Sequence, residues 1–222
     1  MSRNLKVLGL ALVAAMALSA VVASAASAQA FNFKSEASPT TLTGKRHGTN
    51  KEIFETDGGT VTCNEAIYHG QTNVTATSDI NITPTYSNCT AFGFVSVPID
   101  TEGCSYTFTT LTKEGSNFEG AMHILCPGGK SMRVTAPGCE VTIGEQTPTG
   151  GKITFTNLGS GATREITVDV ALTGTHYIED EIAGLPNCTS AGTTTSNGTY
   201  KGAWLVTGET PGTTTHTGVW VE

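Results

Sequence analysis

Short stretches of apolar and polar residues alternate with a period of two along most of this chain, and turn-forming clusters interrupt them every ten residues or so. That pattern suits a half-buried β-strand and excludes an amphipathic helix, whose apolar positions recur every three to four residues. Thr40 to Thr43, Glu52 to Thr56, Thr60 to Cys63 and Ser78 to Thr83 read as strands, with Ile80 and Ile82 on one face of the last. Phe94 to Ile99, Cys104 to Leu111, Phe118 to Leu125, Ser131 to Ala136 and Cys139 to Ile143 follow. Lys152 to Thr156, Arg164 to Leu172, His176 to Ile178, Thr199 to Thr207 and Thr215 to Val221 complete the set. Asp57-Gly58-Gly59, Cys126-Pro127-Gly128-Gly129 and Ala136-Pro137-Gly138 supply the sharpest turns. So many short strands imply an all-β fold, a β-sandwich of jelly-roll-like character. The 39 threonines fit this reading, because a β-branched side chain suits a half-solvated pleated surface.

Residues 1–30 are expected to be a signal peptide and not part of the fold. Arg3 and Lys6 form a basic start, Val7 to Val22 is uncharged and apolar, and small residues lead to Ala28-Gln29-Ala30, with cleavage expected before Phe31. The apolar run is short for a membrane span. Of the 12 Lys and Arg, only Arg3 and Lys6 lie in the leader, so residues 31–222 hold ten against 19 Asp and Glu. A chain this acidic is not expected to bind nucleic acid. No membrane span is expected after leader removal, and the expected location is extracellular.

All six cysteines, Cys63, Cys89, Cys104, Cys126, Cys139 and Cys188, fall after the leader. An even number in an exported chain reads as three disulfides. No C-x-x-C pair points to a metal. Sequence proximity suggests Cys89 with Cys104 and Cys126 with Cys139, leaving Cys63 with Cys188. Such nesting suggests a cystine-rich sub-region at 84–145, inserted in or extending from the 31–222 domain; a single continuous sandwich fits the same spacing.

Tyr86-x-x-Cys89, Gly103-Cys104-x-Tyr106-x-Phe108, Cys126-Pro127-x-Gly129, Cys139-x-Val141-x-Ile143 and Gly198-x-Tyr200-x-Gly202, taken with the Ala-rich leader, resemble a group of small secreted, Thr-rich proteins of actinobacteria. The resemblance implies an exported, cystine-containing β protein and carries no catalytic residues, since the group has no assigned activity.

Signatures of chemistry are sparse. There is no G-x-S-x-G elbow, no nucleotide-binding loop and no D-x-D-x-D-G calcium loop. The five histidines are scattered singly. The acidic runs Glu52, Glu55, Asp57 and Glu179-Asp180-Glu181 lie beside turns, where solvated loop charge is the plain reading and paired catalytic carboxylates or calcium oxygens the sharper one. No cofactor is implied. Both tryptophans lie in the last hairpin, where Trp204, Trp220 and Tyr200 are the candidate ligand contacts; either tryptophan fits a core or a surface position. The expected function is therefore non-enzymatic surface contact with a cell-envelope glycan, wall polymer or protein. The alternative is a secreted hydrolase whose site is assembled only in space.

Overall fold

A computed structural model of the chain describes residues 31–182 and 188–222; the expected signal peptide lies outside the described residues. The fold is all-β. The strands are β1 (Phe33–Ser35), β2 (Thr40–Arg46), β3 (Glu52–Thr56), β4 (Gly59–Thr72), β5 (Ala76–Thr77) and β6 (Asp79–Ala91). They continue with β7 (Val95–Ser96), β8 (Ile99–Asp100), β9 (Ser105–Glu114), β10 (Asn117–Leu125), β11 (Met132–Ala136) and β12 (Cys139–Ile143). The last are β13 (Gly150–Leu158), β14 (Glu165–Glu181), β15 (Thr194–Glu209), β16 (His216–Thr217) and β17 (Val219–Val221).

Antiparallel layers pack face to face as a β-sandwich. The order β15-β2-β4-β6-β9-β10-β13-β14 runs through the main sheet, and β14 also pairs with β15. The ladder therefore closes on itself, and each of these eight strands neighbours the next one of the set along the chain. This refines the jelly-roll-like expectation to an up-and-down meander. Eight strands enclose an interior that side chains can just fill. One end is covered by the small sheet β17-β1-β5. There Phe33 meets Phe155 edge-on at 5.2 Å, and Phe31 meets Phe118 at 5.3 Å. Toward the other end β12, β11 and β8 extend the ladder from β14, and β3 bridges β15 and β4. Segment 84–145 contributes β9 and β10 to the closed ring and β11 and β12 to this extension. Among the described residues no helix is long and apolar enough to cross a membrane.

Strand pairing decides the disulfides and corrects the expected scheme. Cys63 bonds Cys89, Cys104 bonds Cys126, and Cys139 bonds Cys188. Cys63 lies directly opposite Cys89 in the β4–β6 register. Cys104 and Cys126 close the open end of the β9–β10 hairpin, one step beyond the Ser105–Leu125 pair. Its turn passes through Gly115, whose φ of 62° favours glycine. Proximity in sequence was the wrong guide, because cysteines flanking a loop are not cross-strand neighbours unless the register places them opposite.

Cystine mapping of unreduced protein is expected to recover peptides joined 63–89, 104–126 and 139–188. Replacing Cys104 and Cys126 by serine should lower the unfolding free energy by about 3 kcal/mol on a loop-entropy argument. Denaturant titration measures it.

Candidate functional site

The most unusual group in the interior is Glu52. It opens β3 in phase with Phe54, so the pleat carries it inward, and it is 2% exposed. The reading of this residue as solvated loop charge is therefore corrected. Trp204 Nε1 donates to its Oε1 at 2.7 Å, and the Tyr200 hydroxyl donates to its Oε2. With the Tyr200 proton committed to the carboxylate, Tyr68 donates to the Tyr200 oxygen at 3.0 Å. The Tyr86 hydroxyl lies 3.4 Å from that of Tyr200 and 2.6 Å from that of Tyr106, whose oxygen stands 3.6 Å from Met132 Sδ. One network thus links β3, β4, β6, β9, β11 and β15. Burial pushes the Glu52 carboxyl above its ordinary value, opposed in part by the hydrogen bonds from Tyr200 and Trp204. Burial also raises Tyr86 to about 12 and holds Tyr68, Tyr106 and Tyr200 well above the usual phenol range. Gly202 makes room for the carboxylate, since a Cβ there would overlap it.

Beside this network lies a cavity of about 50 Å³, walled by Glu52, Tyr86, Tyr106 and Tyr200 and otherwise mainly by apolar groups such as Met122 and Leu172. Thr175 Oγ1, which reaches no protein partner, belongs to its lining. A space of this size suits water. It falls well below the roughly 300 Å³ at which small-molecule pockets begin. The Glu52 network therefore organises the interior and has no room for a substrate.

Glu179 is also buried, which corrects the solvated reading of that acidic run. Its carboxylate accepts from the Gly58, Thr189 and Ser190 amides, each at 3.1 Å. It pins the β3–β4 turn to the segment after Cys188. Asp180 and Glu181 are exposed, so the run does not converge on one calcium position. Cys139, Glu179 and Cys188 lie close together, but both sulfurs are in a disulfide and the carboxylate is filled by amides. These groups fit no metal ion.

The three candidate ligand contacts are separated by the fold. Trp204 is fully buried against Tyr68 and Phe108, and Tyr200 is 9% exposed in the network. Trp220 is half-buried, with the Arg164 guanidinium 4.3 Å from its ring centre. They form no shared surface platform.

A depression large enough for a ligand lies on the outside. It has a volume of about 430 Å³. Its floor is the small-residue patch Ala171, Gly202 and Ala203, and Asn50, Lys51, Lys152, Asp169 and Lys201 surround it. Register explains the grouping. Lys152 stands opposite Ala171, Ala171 opposite Lys201, and Lys201 opposite Ile53 across β13, β14, β15 and β3. The β2–β3 loop forms a wall, its His47 amide donating to the Ala203 carbonyl. Sequence reading missed this site because its members come from four strands and a loop; no local motif marks it.

One further constellation assembles in space. His123 Nδ1 lies 2.9 Å from Thr147 Oγ1, and its Nε2 lies 3.7 Å from Glu145 Oε1. The imidazole and carboxylate are about half exposed, at 40% and 50%.

Burial raises the folded-state pKa of Glu52, so the folded chain holds this proton at pH values where the unfolded chain has released it. The resulting stability is present at low pH and is lost as pH rises through the folded-state value. Thermal melts of the wild type and Glu52→Gln should diverge as pH rises above about 4.5, the variant gaining relative to the wild type. At one pH, Gly202→Ala should be destabilised by about 2 kcal/mol through its clash with Glu52. No family model, curated protein or solved structure matches the chain, so its activity must be read from this geometry.

Proposed function

We propose that this is a secreted, non-enzymatic binding protein that makes surface contact with a cell-envelope polymer or protein outside the cytoplasmic membrane. The observation that carries the reading is the outer groove. It reaches ligand size, whereas the cavity beside Glu52 is about 50 Å³. The three disulfides and the leader-like first thirty residues support the location.

The Thr147–His123–Glu145 trio favours the hydrolase as a second reading. A hydroxyl, an imidazole and a carboxylate are the elements of nucleophilic acyl transfer. Against it, the trio lies outside the groove, and its exposed imidazole stands in water, where electrostatic stabilisation is weakest.

Both readings are open to test. Ala171 is exposed on the groove floor, so Ala171→Trp should fill the groove without disturbing the core. Purified mature protein is expected to sediment with an envelope preparation, and the variant should lose most of this binding while melting at the wild-type temperature. Equal binding by both would remove the groove from the account. An ester and glycoside panel should show no turnover that His123→Ala abolishes; such turnover would establish the hydrolase instead.

A further inference from the structure

Resting on the binding reading, we infer that the outer groove takes an anionic, polyhydroxylated chain, such as a uronic-acid glycan or a polyol phosphate. Three observations carry this. The lining holds no aromatic side chain, so the flat ring stacking by which neutral sugars are held is absent from it. Recognition must come from charge and hydrogen bonds.

The charges themselves are unevenly matched. Lys152 is already bound by Glu114 at 3.1 Å and by Glu119. Lys51 and Lys201 have no ion-pair partner among the described residues, and neither has Asp169. Two unmatched ammonium groups therefore outnumber one unmatched carboxylate, in a chain whose residues 31–222 are otherwise acidic. An anion is drawn to the two lysines.

The third observation is the kind of polar group beside them. The Asp169 carboxylate can accept from ligand hydroxyls, while the Asn50 amide both donates and accepts. Thr154 adds a hydroxyl to the same lining. A chain carrying an acid group and neighbouring hydroxyls satisfies all of these at once. An acidic peptide satisfies the lysines, but its ionised side chains carry no donor for Asp169. The floor of Ala171, Gly202 and Ala203 leaves space for a ring or polyol backbone to approach the sheet.

Titration calorimetry of the full mature chain tests the inference. The probes are a galacturonate oligosaccharide, a glycerol phosphate oligomer, a neutral cello-oligosaccharide and an oligoglutamate peptide. One or both of the first two should bind, with affinity falling as salt rises, and which one binds identifies the source of the anion. The Lys51→Ala/Lys201→Ala double variant should lose ten-fold or more, while Lys130→Ala stays within two-fold. Asp169→Asn should weaken the hydroxylated probe several-fold and, because it removes a like charge, tighten the binding of inorganic phosphate, added as a fifth probe. Preferential binding of the neutral sugar or of the peptide would overturn the assignment. So would undiminished binding by the double variant. If the protein sediments with envelope material and none of these probes binds, the binding reading survives and the anionic assignment fails. If it sediments with nothing, the binding reading itself fails.

Discussion

The hydrogen bonds that Tyr200 and Trp204 give to the buried Glu52 carboxylate hold the centre of this protein together. An unpaired carboxylate in such a place would cost several kcal/mol. Here it is filled from β15, and the phenols of Tyr68, Tyr86 and Tyr106 carry the network on to β4, β6 and β9. Apolar packing alone would tolerate many arrangements of similar volume. A carboxylate with fixed donors tolerates few. Gly202 belongs to the same constraint, since the carboxylate occupies the place a side chain would take.

A closed ladder with a filled interior directs function outward. The eight-stranded ring leaves small voids beside Glu52 and between Phe33, Phe108 and Phe155. Its ends are held by β1, β5 and β17 on one side and by the three disulfides and Glu179 toward the other. What remains for recognition is the outer surface, where small residues on β14 and β15 lie between lysines from the β2–β3 loop, β13 and β15. The depression exists because the outward-facing Ala171 and Ala203 are small and the β2–β3 loop rises beside them.

Some of the interior was legible in the alternation. Ile80 and Ile82 share a face of β6, and Val219 and Val221 point inward while Trp220 does not. The burial of Glu52 and Glu179 followed the same rule, as each alternates with an aromatic, Phe54 and Tyr177, on an inward face. Their charge hid it, because a carboxylate beside a turn is ordinarily solvated. The disulfides had a signal too. Cys104 and Cys126 are equidistant from Gly115, and Cys63 and Cys89 are equidistant from Ala76, as cross-strand partners about a turn must be. The length of β4 was harder to read. Its inward phase changes between Cys63 and Ala66, opposite Asn88, whose φ of 53° is one asparagine tolerates. A strict period of two is lost there, so only the first part of the strand stood out.

By itself, the sequence determined the class of structure, the number of cystines and the outward threonine surface, because these follow from residue type and from a period of two, both local properties. Only the tertiary structure decided ring closure through β14 and β15, the cystine pairing, the seating of Glu52 and the outer groove. Each depends on which strands pair and in what register, which no local pattern specifies. A shift of one residue would turn Lys201, Ala171 and Lys152 inward and Glu52 out into solvent.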